Sequence, residues 1–335
     1  MESEFTFIDL FAGIGGLRLP FREIDGLKGK CVLSSEKDAK ARLTYESNFP
    51  DASFPDHVFD TDVTQLAVES VPVHDLLLAG FPCQPFSHAG KKLGFEDMRG
   101  TLFFDIMRII DGLSRHGQDL ERAPRVVLLE NVKGLKSHDK GRTLSRILEE
   151  LGNFYEVTNM VLDARDFGLP QSRQRIFIIG IRKDLPGASL FEATFRHSAA
   201  AQRDNRPALR VGQILEEHVD SKYTISDRLW ASHQERKARH LARGNGWGYR
   251  LVTPDSAYTA TLSARYYKDG AEILVQDSPN GNPRKLTPRE AANLQGFPSG
   301  FKIPVSDVQA YKQFGNAVPV NVIRFIAHQI RPFLR

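Results

Sequence analysis

The chain has two cysteines, and one of them, Cys83, sits in GFPCQPFSHAG between Pro82 and Pro85. It follows the apolar run Leu76-Leu77-Leu78-Ala79. A thiolate is a strong nucleophile, but an ordinary thiol titrates near ~8.5 and needs local donors or positive charge to react. The alternative is a small buried hydrophobe. Glu130, in VVLLENVKGL, also ends an apolar run. A carboxylate there costs free energy unless it has a partner or a task. Burial raises its pKa and suits it to share a proton at neutral pH, whereas an ion pair with an arginine would make it structural. Arg173 and Arg175, in QSRQRIFIIG, enter a strand two residues apart. Alternation puts both guanidiniums on one face, suited to a phosphate, a carbonyl or Glu130, or else to plain surface pairing.

A second set of residues reads as a cofactor site. In FIDLFAGIGGLRLPF a strand enters the glycine cluster Gly13, Gly15 and Gly16. Glycines allow a tight turn and the close approach of a ligand. The spacing is not the full dinucleotide fingerprint, because Gly16 follows Gly15 at once. Glu36 ends the next strand, about twenty residues on, where a carboxylate reaches ribose hydroxyls. A solvated loop acid is the other reading of Glu36. Asp62, in DTDVTQL, could accept from an adenine amino group.

These groups need a scaffold that brings strand ends together. Apolar runs at 5–11, 31–35, 76–79 and 126–129 read as buried strands, with two more at 157–162 and 176–181. Stretches 101–113 and 143–151 have helical spacing. The alternation predicts an α/β fold with a doubly wound, mainly parallel sheet. Gly13 to Gly16, Glu36, Cys83 and Glu130 then fall at strand ends on one rim, and ligands of open α/β sheets bind at the carboxyl ends of strands.

The alternation stops near Leu185-Pro186-Gly187, and a basic, polar, irregular stretch runs to about Asn282. Positions 196–250 hold eleven Lys and Arg against six Asp and Glu, a net of +5, and the rest of the chain is near neutral. Within it, 228–243 reads as a helix with a basic face of Arg236, Lys237, Arg239, His240 and Arg243, closed by Gly244-Asn245-Gly246. Positions 320–333 are amphipathic again and must pack on something. They are expected to return to the first domain. The division is therefore 1–186 plus 310–335 for a catalytic and cofactor-binding domain, and 187–309 for a smaller second domain.

With 335 residues the chain can bury a large core, and 41% hydrophobic and 26% charged residues are ordinary for a globular protein. No apolar run reaches the ~20 residues of a membrane span. The N-terminus lacks the pattern of a signal peptide, so the cytoplasm is the expected location. Two cysteines make no disulfide framework, and no Cys/His set has zinc spacing, so no metal is expected. A net charge of +4 permits a nucleic-acid partner without requiring one.

Taken together, DLFAGIGG, GFPCQPFS, ENVKGL, QSRQRIFIIG, RKLTPREAANLQGFP and QFGNAVPV resemble, in order, the motifs of the cytosine-5 DNA methyltransferases. The resemblance covers about residues 5–330 apart from the basic middle. The compact length looks like a bacterial enzyme of restriction–modification type. The resemblance implies a Rossmann-like fold and S-adenosylmethionine as cofactor, with S-adenosylhomocysteine as product. It implies Cys83 as nucleophile, Glu130 at ring nitrogen 3, Arg175 at the cytosine carbonyl, and Arg173 supporting the loop. For the cofactor it implies Phe11 against adenine, Gly13 and Gly15 under the methionine part, Glu36 on the ribose and Asp62 on the adenine edge. Ala12, Gly16, Val63, Pro82, Asn316 and Val318 would complete that pocket.

The basic middle corresponds to the family's target-recognition region. TLSARYYKDGAEILVQ (261–276) looks like a segment of members whose sites begin CC, such as CCGG or CCWGG. Thr261 and Arg265 are the implied base readers, with Gln84 and Ser87 on DNA beside the cysteine; a structural hairpin is the other reading of 261–276. Double-stranded DNA is the expected partner of a monomer, with a cognate endonuclease acting on the same site. A tRNA-directed branch shares the catalytic motifs but carries a Cys-Phe-Thr segment that this chain lacks.

Overall fold

The computed structural model describes residues 4–53, 57–60, 62–81 and 102–335. By contacts, these divide into two compact units. One comprises 1–162, 174–201 and 323–335; the other comprises 163–173 and 202–322. The chain thus crosses between units several times, at points other than 186 and 310. Residues 163–173 and 310–322 cluster with the second unit, and 323–335 with the first.

The first unit is built on one sheet. Its strands are β1 (Glu4–Leu10), β2 (Glu23–Ile24), β3 (Leu27–Ser35), β4 (Val58–Asp60), β5 (Leu76–Ala79), β6 (Val126–Val132), β7 (Tyr155–Asp163) and β8 (Gln174–Arg182). The order is β2-β3-β1-β5-β6-β8-β7, with β4 also on β3. β4, β3, β1, β5 and β6 run parallel along their pairings. β8 is antiparallel to β6, and β2 to β3, so the sheet is mixed. The central strands are unbroken apolar runs because both faces are covered: Leu76 to Ala79 and Val126 to Leu129 are fully buried.

Helices cover the sheet where their apolar residues recur at helical spacing. α1 (Ala39–Asn48) starts at Asp38, whose carboxylate caps the Lys40 and Ala41 amides. α2 (Leu102–Leu113) buries Phe103, Ile106, Met107, Ile109, Ile110 and Leu113, each contributing about 1.5–3 kcal/mol. α3 (Arg142–Gly152) buries Leu144, Ile147 and Leu151 in the same core. α4 (Phe191–Asp204) lies within the stretch expected to be irregular. Phe191, Phe195 and Ala199, spaced by four, are its buried stripe. The C-terminal part of α8 (Val320–Ile330) meets it through Phe325 against Phe195, at 5.8 Å between ring centroids. Beyond α8, Arg331 donates to the Ile24 carbonyl, and Arg125 to that of Phe333.

The second unit has little regular structure. It holds α5 (Asp227–Ala242), a short parallel pair β9 (Leu251–Val252) and β10 (Leu274–Val275), α6 (Pro288–Leu294) and α7 (Asp307–Asn316). Buried polar anchors replace sheet ladders there. The Tyr266 hydroxyl donates to the Ile273 carbonyl and accepts from the Leu286 amide. Glu290, fully buried, takes two bonds from Arg284 and also accepts from the Thr287 and Glu216 amides. No helix among the described residues is long and apolar enough to cross a membrane.

Candidate active site

The parallel registers bring four strand ends side by side. Leu10 pairs with both Ser35 and Ala79, and Ala79 with Leu129. The residues just past these ends are the glycine turn, Glu36, Gly80 and Glu130. Asp60 pairs with Ser35, so Asp62 leaves the same edge. β8 runs the other way and delivers Arg175 there, opposite Val132.

Glu130 is 8% exposed, and its Oε1 lies 3.2 Å from Arg175 Nε. Arg175 also donates through Nη1 to the Gln174 carbonyl at 2.9 Å. Burial pulls the Arg175 pKa down, and the Glu130 carboxylate partly restores it. The pair is thus a buried charge set facing the rim, with Arg175 side-chain exposure of 14%. A β-carbon at Gly80 would lie 3.7 Å from Glu130 Oε2, in ordinary contact, so this strand end lies directly beside the carboxylate. Asn131, buried next to Glu130, donates to the Phe81 carbonyl at 3.1 Å. It ties the end of the β5 segment to β6. Pro82, Cys83, Gln84 and Ser87 lie outside the described residues.

The glycine turn has a floor and an open lip. Phe11 and Gly13 are both left-handed, at φ of 55° and 56°, a conformation that costs a side-chain-bearing residue roughly 1–2 kcal/mol. Gly15 has φ +82°, and a β-carbon there would sit 2.2 Å from the Phe49 ring. Arg18 stacks on that ring at 4.4 Å and donates to the Tyr45 hydroxyl at 2.9 Å. Tyr45 in turn donates to Asp9, whose carboxyl is pushed up to about 7 by burial, against the pull of Arg18. Ala12 and Gly16 are buried in the turn, and the Ala12 amide donates to the Ser35 carbonyl. Around Gly13, by contrast, a β-carbon would meet nothing within 4 Å.

Glu36 stands at this lip. Its Oε2 accepts from the Gly13 amide at 2.8 Å and its Oε1 from Asp38 at 2.7 Å. Asp62 accepts from Lys37 Nζ at 2.7 Å and from Thr64, and these donors, Lys37 first, hold its carboxyl down at about 2. Val63 is buried, and Arg108 of α2 clasps its carbonyl and that of Leu66. Sequence reasoning missed Arg108 and Asn131. Their signal was a polar side chain inside an apolar run, but backbone carbonyls as partners leave no mark in a sequence.

In the second unit, Arg173 is 1% exposed and is not an open guanidinium. It donates to the carbonyls of Leu262, Gly315 and Ala317 at 2.7, 2.9 and 2.6 Å. The shared face expected for Arg173 and Arg175 is therefore not formed. Arg173 precedes β8, and a buried guanidinium takes whichever acceptors satisfy its donors. Gly315 presses on the backbone of Ser263 and Ala264, where a β-carbon would come within 2.3 Å. Asn316, at the end of α7, is exposed, and Val318 is buried. The Thr261 hydroxyl is spent on the Ser172 carbonyl, whereas Arg265 is exposed. The basic face of α5 is narrower than expected, because Arg236 pairs with Asp269 at 3.0 Å and donates to His233.

Comparison with known proteins agrees with this geometry. The family model for C-5 cytosine-specific DNA methylase matches residues 5–332. The chain is 50% identical over 334 residues to the Type II methyltransferase M.DsaV of Dactylococcopsis salina, covering 99% of this chain and 88% of that protein. It is 52% identical over 335 residues to the Type II methyltransferase M.NlaX of Neisseria lactamica, covering 98% and 97%. In fold it is similar to the crystal structure of the S. pombe Dnmt2 methyltransferase. The TM-score is 0.73 at 20% identity, with 98% and 99% of the two chains covered. The chain belongs to the C-5 cytosine-specific DNA methylase family and is a DNA cytosine-5 methyltransferase.

Proposed function

We propose that this enzyme takes its methyl group from S-adenosylmethionine and acts on a cytosine flipped out of a short duplex site, releasing S-adenosylhomocysteine. The buried Glu130–Arg175 pair, on the rim that also carries Gly13 and Glu36, carries the reading. Cytosine carbon 5 is a poor nucleophile. Attack of the Cys83 thiolate at carbon 6, with Glu130 sharing a proton at ring nitrogen 3 and Arg175 holding the carbonyl oxygen, makes carbon 5 electron-rich. After methylation a base removes the carbon 5 proton and the thiolate leaves. None of these ring atoms is accessible inside a duplex, which is why methyltransferases extrude the base. Cys31 is no rival to Cys83, because burial pushes its thiol up to about 11.

The residues at the lip fit S-adenosylmethionine, which supplies an electrophilic methyl group when bound. The open space at Gly13 permits close backbone approach, and Phe11, half-buried, offers an aromatic face to adenine. Glu36 and Asp62 each keep acceptor capacity for hydroxyl and amino donors beyond the bonds they already make. Ala12, Gly15, Gly16, Val63, Pro82, Asn316 and Val318 complete the proposed site. Glu36→Ala is expected to weaken S-adenosylhomocysteine binding about 10- to 100-fold, the loss of hydrogen bonds to a charged group. Calorimetric titration checks this, and a change under threefold contradicts the ribose role.

Arg265, whose guanidinium has no partner among the described residues, is the proposed reader of a guanine edge. Thr261, Gln84 and Ser87 are the further DNA contacts, with 187–309 as the recognition region and Arg173 supporting it. The Type II names of the relatives support a restriction–modification role. A cognate endonuclease, a cytoplasmic monomer and a site of the CCGG or CCWGG kind complete the proposal. Duplex DNA carrying 5-fluorocytosine at the target is expected to trap a covalent complex when cofactor is present. Equal trapping by Cys83→Ser would sink the nucleophile assignment, and transfer of labelled methyl only to tRNA would sink the substrate.

A further inference from the structure

Trp247 is 73% exposed, the largest apolar side chain left so open among the described residues. Its surroundings hold it there. On the N-terminal side, the Asn245 amide donates to the His240 carbonyl at the end of α5, and the Asn245 side chain accepts from the Trp247 amide. On the C-terminal side, Gly248 takes φ +152°, and a β-carbon there would lie 2.9 Å from Lys237, so the loop backbone lies flush on α5. Tyr249 then packs edge-on against Trp230 at 4.7 Å, with Lys237 Nζ 4.3 Å above its ring. The loop is anchored on both sides of an indole that stays mostly open among the described residues.

The sequence that flanks it carries mostly one sign of charge. Positions 228–250 hold six Lys and Arg and one carboxylate, Glu235. Arg236 is used internally by Asp269. Arg239, Arg243 and Arg250 are exposed and pair with no carboxylate among the described residues. An exposed aromatic among unpaired cations matches the surface on which nucleic acids are held. Cations take phosphates, and an aromatic face stacks on a base of any sequence. A protein partner would need acidic complementarity and gives no reason for a single indole isolated between glycines.

We propose that Trp247 stacks on a base left unstacked where the duplex substrate opens for flipping, while Arg239, Arg243 and Arg250 hold the flanking phosphates. The inference rests on duplex DNA being the substrate. It adds a contact outside the cysteine loop and the 261–276 segment, one that supplies affinity and orientation without reading sequence.

The chain has two tryptophans, so fluorescence can isolate this one. In a titration with a site-bearing duplex, the wild type is expected to lose emission and iodide accessibility that Trp247→Phe lacks from the start. Trp247→Ala is expected to bind the duplex about 5- to 100-fold more weakly, by the stacking value of one base. Its circular dichroism and S-adenosylhomocysteine affinity should match the wild type. Trp247 staying iodide-accessible in a formed duplex complex, or Trp247→Ala binding within twofold of the wild type, overturns the stacking role and leaves the substrate intact. A wild type that binds no duplex overturns both. Quenching that grows with protein concentration without DNA assigns the indole to a second copy and overturns the proposal.

Discussion

Replacing Glu130 with glutamine is expected to slow methyl transfer by about 100- to 10,000-fold, the range of a positioned proton-transfer group. The substitution keeps shape and removes charge. It has two consequences. The side chain can no longer share a proton with the base, and Arg175, buried at 3.2 Å, loses its anion. S-adenosylhomocysteine affinity should move less than threefold, because Glu36 and Asp62 are held by their own partners, Gly13 and Asp38 on one side and Lys37 and Thr64 on the other. Single-turnover transfer of labelled methyl with a parallel binding titration separates the two effects. A rate loss under tenfold would show that the carboxylate only neutralises Arg175.

Glu290→Ala is expected to cost about 3–5 kcal/mol, because it leaves the Arg284 guanidinium buried with one acidic partner fewer. Glu290 is fully buried and satisfies four donors: both Arg284 terminal nitrogens and the amides of Thr287 and Glu216. Differential scanning calorimetry should place the melting temperature roughly 10 °C lower. The double variant Arg284→Met with Glu290→Leu should recover much of the loss, since removing both charges removes the desolvation penalty too. Asp277, which also pairs with Arg284, is 45% exposed and can turn to water. Equal destabilisation in the single and double variants would assign the loss to the helix cap on α6 instead.

How far the sequence could be read follows from which forces leave a pattern in it. β5, β6 and α2 are legible because burial on both faces, or on one helical stripe, forces apolar residues into recognisable periods. α1 is not. Its buried set is Ala41, Thr44 and Tyr45, too mixed in polarity to stand out, and only the Asp38 cap announces it. α4 hides for a different reason, since the Phe191, Phe195, Ala199 stripe is crowded by charge. Strand direction leaves no trace, so an antiparallel β8 could not be foreseen from apolar runs alone.

The site divides in the same way. Glu36 and Glu130 stand out as carboxylates at apolar strand ends, and the shared rim then follows from the parallel register. Arg173 reads as a second open cation because its acceptors are carbonyls at 262, 315 and 317, which lie 89 to 144 residues away. The second unit is the least legible part. Groups that look like surface charge, Arg284 and Glu290 among them, are its interior.

The contact between Gly315 and the backbone of Ser263 and Ala264, with Arg173 tied to Leu262 and Gly315, bears on how specificity can be inherited. The stretch proposed to read the site, 261–276, cannot be exchanged alone between relatives. Its backbone must lie flat on a glycine and offer a carbonyl to a distant arginine. Recombination that swaps 261–276 without a compatible QFGN segment breaks this seat. The two stretches, some fifty positions apart, are therefore expected to travel as one heritable block.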